Sequence, residues 1–579
     1  MAGIAKIKEE FRVNCQKIVS SDISEVESSI TANKKKGKKG QNKDRPYFKE
    51  TDRYQRPCPS VNHNSTCTAP DTCKYLHDEK DIKNYLSNKP TDIDSSCYIF
   101  SKFGFCANGL NCRFGSSHIT EDGKNIKGTN YDSKVIEAST LNTLTKEVQH
   151  QLWKRNYPFG RSDDFLEAFN KHTKLLRMHN GNLSNPIRSD LEEINTNNQD
   201  SPLQETEDSF QHLSNVLNEP PREMKKIDFK NKLYLAPLTT VGNLPFRRIC
   251  VEYGAEVTCG EMAVCMGILK GHLSEWALLK KHCSEKLFGV QICGSHVDQF
   301  TKVADIFENE IPGVDFIDLN LGCPLDLVYR TGGGSALIPH ARKVCSAVNG
   351  ISSVSGFPVT VKMRTGINDK SHLAHKLIAR LKEETKVQLI TLHGRSRQGR
   401  YTGKADWEYI KECSQVAHPI PFFGNGDVLS FEDYYQHIES HGVDGVMIGR
   451  GALIKPWIFT EIAERRVWDI RSSERLDILR RFSNYGLEHW GSDTTGVEKT
   501  RRFLLEWLSF LCRYIPVDLL EVLPQKINDR PPEFFGRDDL ETLMCSRNCK
   551  DWVKISEMLL GKVPDNFQFE PKHKANSYA

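Results

Sequence analysis

Eight short apolar runs, each separated from the next by about one helix-length of chain, constrain this sequence more than any other feature. They occupy residues 233–236, 256–259, 287–292, 316–320, 359–363, 389–393, 421–424 and 445–449. The stretches between them are amphipathic with helical spacing. Strand and helix alternating at this period predict a parallel sheet, because a parallel crossover needs a dozen residues or more. Eight such units in about 220 residues fit a (β/α)8 TIM barrel. A doubly wound open sheet is the structural alternative.

The rest of the 579-residue chain is divided around this block by texture. Residues 1–50 are polar and Lys-rich and are expected to be a disordered tail. Within them, Lys34, Lys35, Lys36, Lys38 and Lys39 form a run that reads as a solvated segment, with a nuclear address or an RNA-touching tail as the sharper reading. Residues 51–120 hold a dense Cys/His cluster, and residues 121–228 read as a polar, partly helical linker. The barrel is placed at 229–458, a helical domain at 459–565 and a tail at 566–579. In the helical domain, Phe503, Leu504, Leu505, Trp507 and Leu508 recur at helical spacing beside Arg501 and Arg502.

Hydrophobic residues make up 38% of the chain, enough for at least one large core, and the net charge of +4 assigns no partner. The first 20 residues contain Lys6, Lys8, Glu9, Glu10, Arg12 and Lys17, with no continuous apolar run of the kind a secretory signal needs. No stretch approaches the ~20 apolar residues of a membrane span. The expectation is an intracellular protein of cytoplasm and nucleus, with no membrane association and no obligate protein partner. Its 18 cysteines then sit in a reducing compartment, where metal binding or catalysis is favoured over disulfides.

Cys58, Cys67, Cys73 and His77 are spaced C-x8-C-x5-C-x3-H, and Cys97, Cys106, Cys112 and His118 repeat the first two gaps as C-x8-C-x5-C-x5-H. Cys3His is a closed tetrahedral zinc set, so these are two structural zinc sites rather than catalytic ones. The last gap of the second, x5, is longer than the x3 of the first. Tyr75, Phe103, Phe105 and Phe114 offer stacking faces for single-stranded RNA or packing around the metal.

In a (β/α)8 barrel the functional groups gather at the C-terminal ends of the strands. Those ends carry Pro237, Glu261, Gln291, Asn320, Lys362, His393, Asn425 and Gly449, which together describe the rim of one pocket. Gly424-Asn425-Gly426-Asp427 follows the seventh run and Gly449-Arg450-Gly451-Ala452 the eighth. Glycines let backbone N–H groups approach an anion, Arg450 adds positive charge, and these two loops are the usual phosphate seat of the fold. A phosphate-bearing cofactor is implied.

At this point the chain resembles the tRNA-dihydrouridine synthase family. The motifs that carry the resemblance are Leu235-Ala236-Pro237-Leu238-Thr239, Asn320-Leu321-Gly322-Cys323-Pro324 and Val361-Lys362-Met363-Arg364-Thr365-Gly366. His393-Gly394-Arg395 with Tyr401, Gly424 to Asp427, and Gly449-Arg450 complete the set, and the likeness covers about residues 229–565. Two CCCH zinc fingers ahead of the barrel look like the eukaryotic type-three branch, which modifies the variable-loop uridine at position 47. Where many relatives read Pro-Met, this chain reads Pro237-Leu238, an apolar exchange.

The resemblance implies an FMN flavoprotein and oxidoreductase that reduces the C5=C6 bond of uridine in tRNA, and in mRNA as a further substrate, with electrons from NADPH. It implies that Pro237, Leu238 and Thr239 back the flavin ring and that Gln291 and Lys362 contact its polar edge. His393 would sit near the phosphate or ribityl chain, while Asn425, Gly426, Asp427, Gly449 and Arg450 belong to the phosphate loops. Cys323 is then the proton donor to C5, and Thr331-Gly332-Gly333-Gly334-Ser335 reads as a mobile loop over the site. Arg501, Arg502 and Arg513 would grip the tRNA backbone. Two other readings stand beside this one: a flavin barrel acting on a small enone or dihydropyrimidine, and a CCCH RNA-binding regulator with an inactive barrel.

Overall fold

The computed structural model describes residues 3–13, 54–179, 223–401 and 403–572, so the lysine run at 34–39 lies outside the described residues. The chain forms two compact units. One comprises Ala138–Ala452 with Trp457–Glu464; the other comprises Ala2–Glu137, Leu453–Pro456 and Arg465–Ala579.

The first unit is a closed parallel barrel. Its strands are β1 Tyr234–Leu235, β2 Val257–Cys259, β3 Leu287–Cys293, β4 Phe316–Leu321, β5 Val359–Arg364, β6 Leu389–His393, β7 Phe422–Asn425 and β8 Gly445–Ile448. Each pairs in parallel with its neighbours in sequence, and β8 returns to β1. The barrel rather than the open sheet is therefore the fold. Helices cover its outside, so both faces of every strand are buried, which is why the strands read as apolar runs rather than as alternation.

Period-two alternation reappears inside the barrel as a change from apolar to polar along its axis. Phe229, Tyr234, Val257, Phe316, Leu389, Phe423 and Met447 form one core cluster. Phe316 meets Phe229 edge-on, with ring centroids 5.4 Å apart. Two glycines make this plug possible: a Cβ on Gly289 or on Gly445 would stand 2.2 Å from the ring of Phe316 or Phe423. One or two inward positions further along come Gln291, Asp318, Asn320, Thr360, Lys362, His393 and Asn425. The plug closes one end of the barrel and leaves a polar mouth at the other.

Residues 138–179 fall within the stretch that reads as a linker, yet they belong to the barrel unit. Thr140–Leu141 pairs antiparallel with Lys281–His282. Helix Gly160–His179 packs on helices Val297–Glu310 and Ala341–Val354, with Phe165 and Ala168 buried. A sparse apolar stripe in a polar sequence is enough to seat a helix when a barrel surface is waiting for it.

The second unit carries the Cys/His region together with helices Ser472–Trp490, Thr494–Leu511, Asp539–Cys545 and Cys549–Leu560. Two expectations are corrected here. Residues 3–13, read as part of a disordered tail, are ordered: Ala5 and Ile7 are buried with Ile515, Leu519 and Leu520, and bridges join Ile7 to Leu520 and Arg12 to Phe534. Arg501, read as a tRNA contact, is buried. Its guanidinium donates to Ser556 Oγ at 3.0 Å and to the carbonyls of Leu560 and Gly561, each at 2.8 Å, so it caps the end of helix Cys549–Leu560.

Candidate active site and metal centres

A chain of hydrogen bonds with one direction runs across the barrel mouth. Asp318 offers only acceptors when ionised. Its Oδ1 accepts from Thr360 Oγ1 at 2.6 Å and its Oδ2 accepts from Gln291 Nε2 at 2.7 Å. That fixes which end of the Gln291 amide faces Asp318, so Gln291 Oε1 is left to accept from Asn320 Nδ2 at 2.7 Å. Asn320 Oδ1 in turn accepts the backbone N–H of Gly322 at 3.1 Å and of Cys323 at 2.8 Å. The carboxylate on β4 thus orients two amides and, through them, the main chain of Cys323. Asp318 is absent from the residues that the sequence singled out; its signal is its inward position two residues before Asn320.

The Cys323 carbonyl accepts from Ser335 Oγ at 2.9 Å and Ser335 N at 3.3 Å, which ties the glycine loop 332–334 back to the thiol segment. Gly334 has φ +59°, and a Cβ there would lie 2.9 Å from the Cys323 Cβ, so only glycine fits. Cys323 is 8% exposed. Burial pushes its thiol above the ordinary cysteine range, with the Leu325 N–H and then Arg364 and Arg397 pulling the other way. At neutral pH it holds its proton.

The opposite rim is cationic. Lys362 Nζ donates to Asn425 Oδ1 at 3.2 Å, and Asn425 Nδ2 donates to the Met447 carbonyl at 2.7 Å. Arg395 and Arg450 both donate to Asp427, each at 2.6 Å. Arg364 donates to the Gly322 and Ser396 carbonyls. The Tyr401 ring lies 4.5 Å from the Arg450 guanidinium and 5.6 Å from that of Arg395. Burial, and then the neighbouring Arg364, push Lys362 down to about 8. Burial followed by Arg364, Lys362, Arg395 and Arg450 holds His393 well below its ordinary value, so it is a neutral imidazole. Asp427 stays below the usual carboxylate range despite burial, because Arg395 and Arg450 face it. Four cations against Asp318 and Asp427 leave an excess of buried positive charge, which suits an anionic group such as a phosphate.

The structure brings together Gln291, Asn320, Cys323, Lys362, His393, Asn425, Asp427 and Arg450, as the sequence positions predict. Gly449 joins them from the side: a Cβ there would lie 3.6 Å from Leu238 and 3.7 Å from Ala236, so the loop after β8 stands against the chain running on from β1. Gly426 has φ +142° and a Cβ would lie 2.5 Å from Ala405, a close approach that requires glycine. Glu261 accepts from the Thr240 N–H at 2.6 Å and steadies the loop after β1. Arg364, Arg395 and Tyr401 enter the site although the sequence quoted them only within motifs; position along β5 and the turn after β6 put them there.

Both Cys/His sets converge, in Cys58, Cys67, Cys73, His77 and in Cys97, Cys106, Cys112, His118. Within each set the ligand atoms lie within 4.8 Å of one another. His77 Nε2 and His118 Nε2 are buried with no hydrogen-bond partner, as a metal-facing nitrogen would be. Asn125 settles the tautomer of His118. Its Nδ2 donates to the carbonyls of Asn62 and Cys106 at 2.9 and 2.8 Å, so its Oδ1 accepts from His118 Nδ1, 3.0 Å away. Nε2 then carries a lone pair towards the thiols. The longer final gap is accommodated by the 3₁₀ turn Gly115–Ser117. Both sets therefore fit a zinc ion held by three thiolates and one imidazole.

The second set is docked on the helical part of the same unit. Ser492 Oγ donates to Cys112 Sγ at 3.1 Å, lies 3.3 Å from Cys106 Sγ and accepts from Asn108 Nδ2 at 3.1 Å. Lys102 pairs with Glu488 at 2.8 Å, and Arg56 pairs with Asp493. Among the aromatics, Phe105 and Phe114 are buried and pack around the metal set rather than offering free faces. Tyr75, beside Tyr54, and Phe103 keep part of their rings accessible.

A closed parallel barrel with a polar, cation-lined mouth and a protonated thiol at its rim defines a (β/α)8-barrel enzyme. The dihydrouridine synthase (Dus) family profile matches residues 234–502. The tRNA-dihydrouridine(47) synthase [NAD(P)(+)]-like protein of Xenopus tropicalis is 51% identical over 556 residues, covering 95% of this chain and 85% of that one. The protein of the same name from Homo sapiens is 50% identical over 565 residues, covering 93% and 84%. That of Arabidopsis thaliana is 40% identical over 658 residues, covering 100% and 93%. The chain belongs to the dihydrouridine synthase family and is an oxidoreductase.

Proposed function

We propose that this protein reduces the C5=C6 bond of uridine to 5,6-dihydrouridine in tRNA, at variable-loop position 47, with FMN in the barrel mouth and NADPH as the electron source. Uridines in mRNA are a further substrate under this reading, and the protein works in cytoplasm and nucleus. The observation that carries the proposal is a buried thiol, Cys323, kept protonated beside a pocket with surplus positive charge. That surplus fits the phosphate of FMN, with Gly426, Gly449 and Arg450 at the phosphate end and Pro237, Leu238 and Thr239 offering an apolar backing. When bound, FMN supplies a hydride to one carbon of the reduced bond.

The chain's own residues supply the rest. Cys323 holds a proton for the uracil C5, and its raised pKa makes it a proton donor rather than a nucleophile at neutral pH. Asp318, through Gln291 and Asn320, keeps the thiol segment in place. Lys362 offers a cation where negative charge gathers on the flavin, and neutral His393 offers a hydrogen bond without adding to the local charge. The target base must leave its stack to reach this mouth, and the two zinc sites hold the RNA-binding fold around Tyr54, Tyr75 and Phe103. The test is dihydrouridine mapping of RNA from cells with and without this protein: loss of dihydrouridine at position 47 is expected, and an unchanged map overturns the proposal.

A further inference from the structure

Helix Lys146–Lys154 turns Val148 and Leu152 inward, where both are buried. Trp153 points the other way and is 76% exposed, the only exposed tryptophan among the described residues. A tryptophan this exposed leaves a large flat face open to a stacking partner. Its surroundings are cationic. Lys146 shares its stripe, Lys154 and Arg155 follow it, and all three are exposed. The one acid of the helix, Glu147, lies off the stripe of Lys146 and Trp153 and on the face of Lys154, two turns earlier.

The helix also has a defined place on the barrel. Gln149 Nε2 donates to the Gly271 carbonyl at 3.1 Å, and Gly271 follows helix Cys265–Leu269. That helix continues from Ala263–Val264, which pairs with Ile292 and Cys293 at the C-terminal end of β3. Trp153 is therefore carried beside the insertion that rises from the catalytic end of the barrel, where Lys270 and His272 are exposed as well.

We propose that Trp153, with Lys146, Lys154 and Arg155, forms an RNA-docking surface on the barrel unit, on which an unpaired base stacks while the cations meet the adjoining phosphates. The inference rests on the reading of tRNA as substrate. Every base has a π-face, so an indole flanked by lysine and arginine suits single-stranded or loop RNA of any sequence. The insertion beside it also exposes Met266 and Leu273, but the cations next to the ring favour RNA, and a protein occupant is an outcome the experiment separates.

The experiment measures binding of unmodified tRNA and of a short single-stranded RNA to the full-length parent, Trp153→Ala and Lys154→Glu/Arg155→Glu. Trp153 is exposed, so its replacement leaves the fold intact, and flavin content checks this. Trp153→Ala is expected to weaken both RNAs by roughly 5- to 100-fold. The double variant is expected to lower the salt dependence of binding by about 1 to 2 in log–log slope. The KM for tRNA should rise while kcat at saturating tRNA holds. Parent-like affinity in both variants overturns the inference, as does parent-like RNA binding together with loss of a protein in a pull-down. If the parent makes no dihydrouridine in tRNA but Trp153→Ala still loses RNA affinity, the substrate reading fails and the docking surface stands.

Discussion

Cys323 is held by its main chain on both sides, its N–H on Asn320 Oδ1 and its carbonyl on Ser335. Removing the thiol therefore removes a proton and little else. Cys323→Ala should reduce FMN at the parent rate with NADPH, while single-turnover reoxidation by unmodified tRNA slows by roughly 10²–10⁴-fold; parent-rate reoxidation would assign the proton to another group. Asp318→Asn keeps the shape but leaves one acceptor where there were two; with that oxygen on Thr360 Oγ1, its N–H₂ faces Gln291 and reverses both amides in the chain. A fall in kcat with little change in KM is expected. Combining Asp318→Asn with Gln291→Glu should recover part of it, since the carboxylate introduced on β3 can accept from the amides on both sides. Protonation equilibria set the pH behaviour. Cys323 donates only while protonated, so the rate of uridine reduction should hold as pH rises past the ordinary thiol value of about 8.5 and fall above its own raised value. Lys362 loses its charge above about 8, so the affinity of the FMN-free protein for FMN should drop by about tenfold between pH 7 and pH 9, as measured by fluorescence titration.

The two Cys3His sets have the same residue types but different settings. Three ligands of the first are only partly buried, whereas all four of the second are buried and Ser492 donates to Cys112. A hydrogen bond to a thiolate and exclusion of water both slow its release. A colorimetric chelator should thus take up one zinc quickly and a second slowly, and Cys67→Ser should abolish the fast phase alone. Equal phases in the parent would contradict the assignment. Legibility differs in the same way between elements. The Cys/His gaps announce both sites because ligand spacing is local. The caps that orient the ligands, Asn125 on His118 and Ser492 on Cys112, lie 7 and 380 residues away, and no spacing rule reaches the second.

At the scale of the molecule, the second Cys/His set and the helices from Ser472 to Leu560 lie in one compact unit, while the residues that would hold FMN all lie in the other. Cys106→Ser should lower the thermal midpoint of the finger-and-helix unit by several degrees and weaken tRNA binding. The flavin content should stay unchanged. Differential scanning calorimetry of the flavin-loaded protein reads both; loss of FMN together with zinc would show that the units do not behave independently.

The barrel was legible from the sequence because strands buried on both faces must be apolar throughout and must be separated by a helix. The eight runs consequently lie within a few residues of β1 to β8. The rim was legible for a related reason: a polar residue at the end of an apolar strand has few places to be except the mouth. Tertiary structure alone decided the rest. Phe165 and Ala168 seat a helix, and Ala5 and Ile7 order the N-terminal segment, because distant surfaces complete cores that neither stretch could build alone. Arg501 looks like an RNA contact in sequence and is a buried helix cap in space. Asp318 looks like an interruption of an apolar run, yet it orients the amides that hold Cys323. Hydrophobic periodicity and ligand spacing are written in neighbouring residues; the partner of a buried polar group is not, because only the folded chain brings the two together.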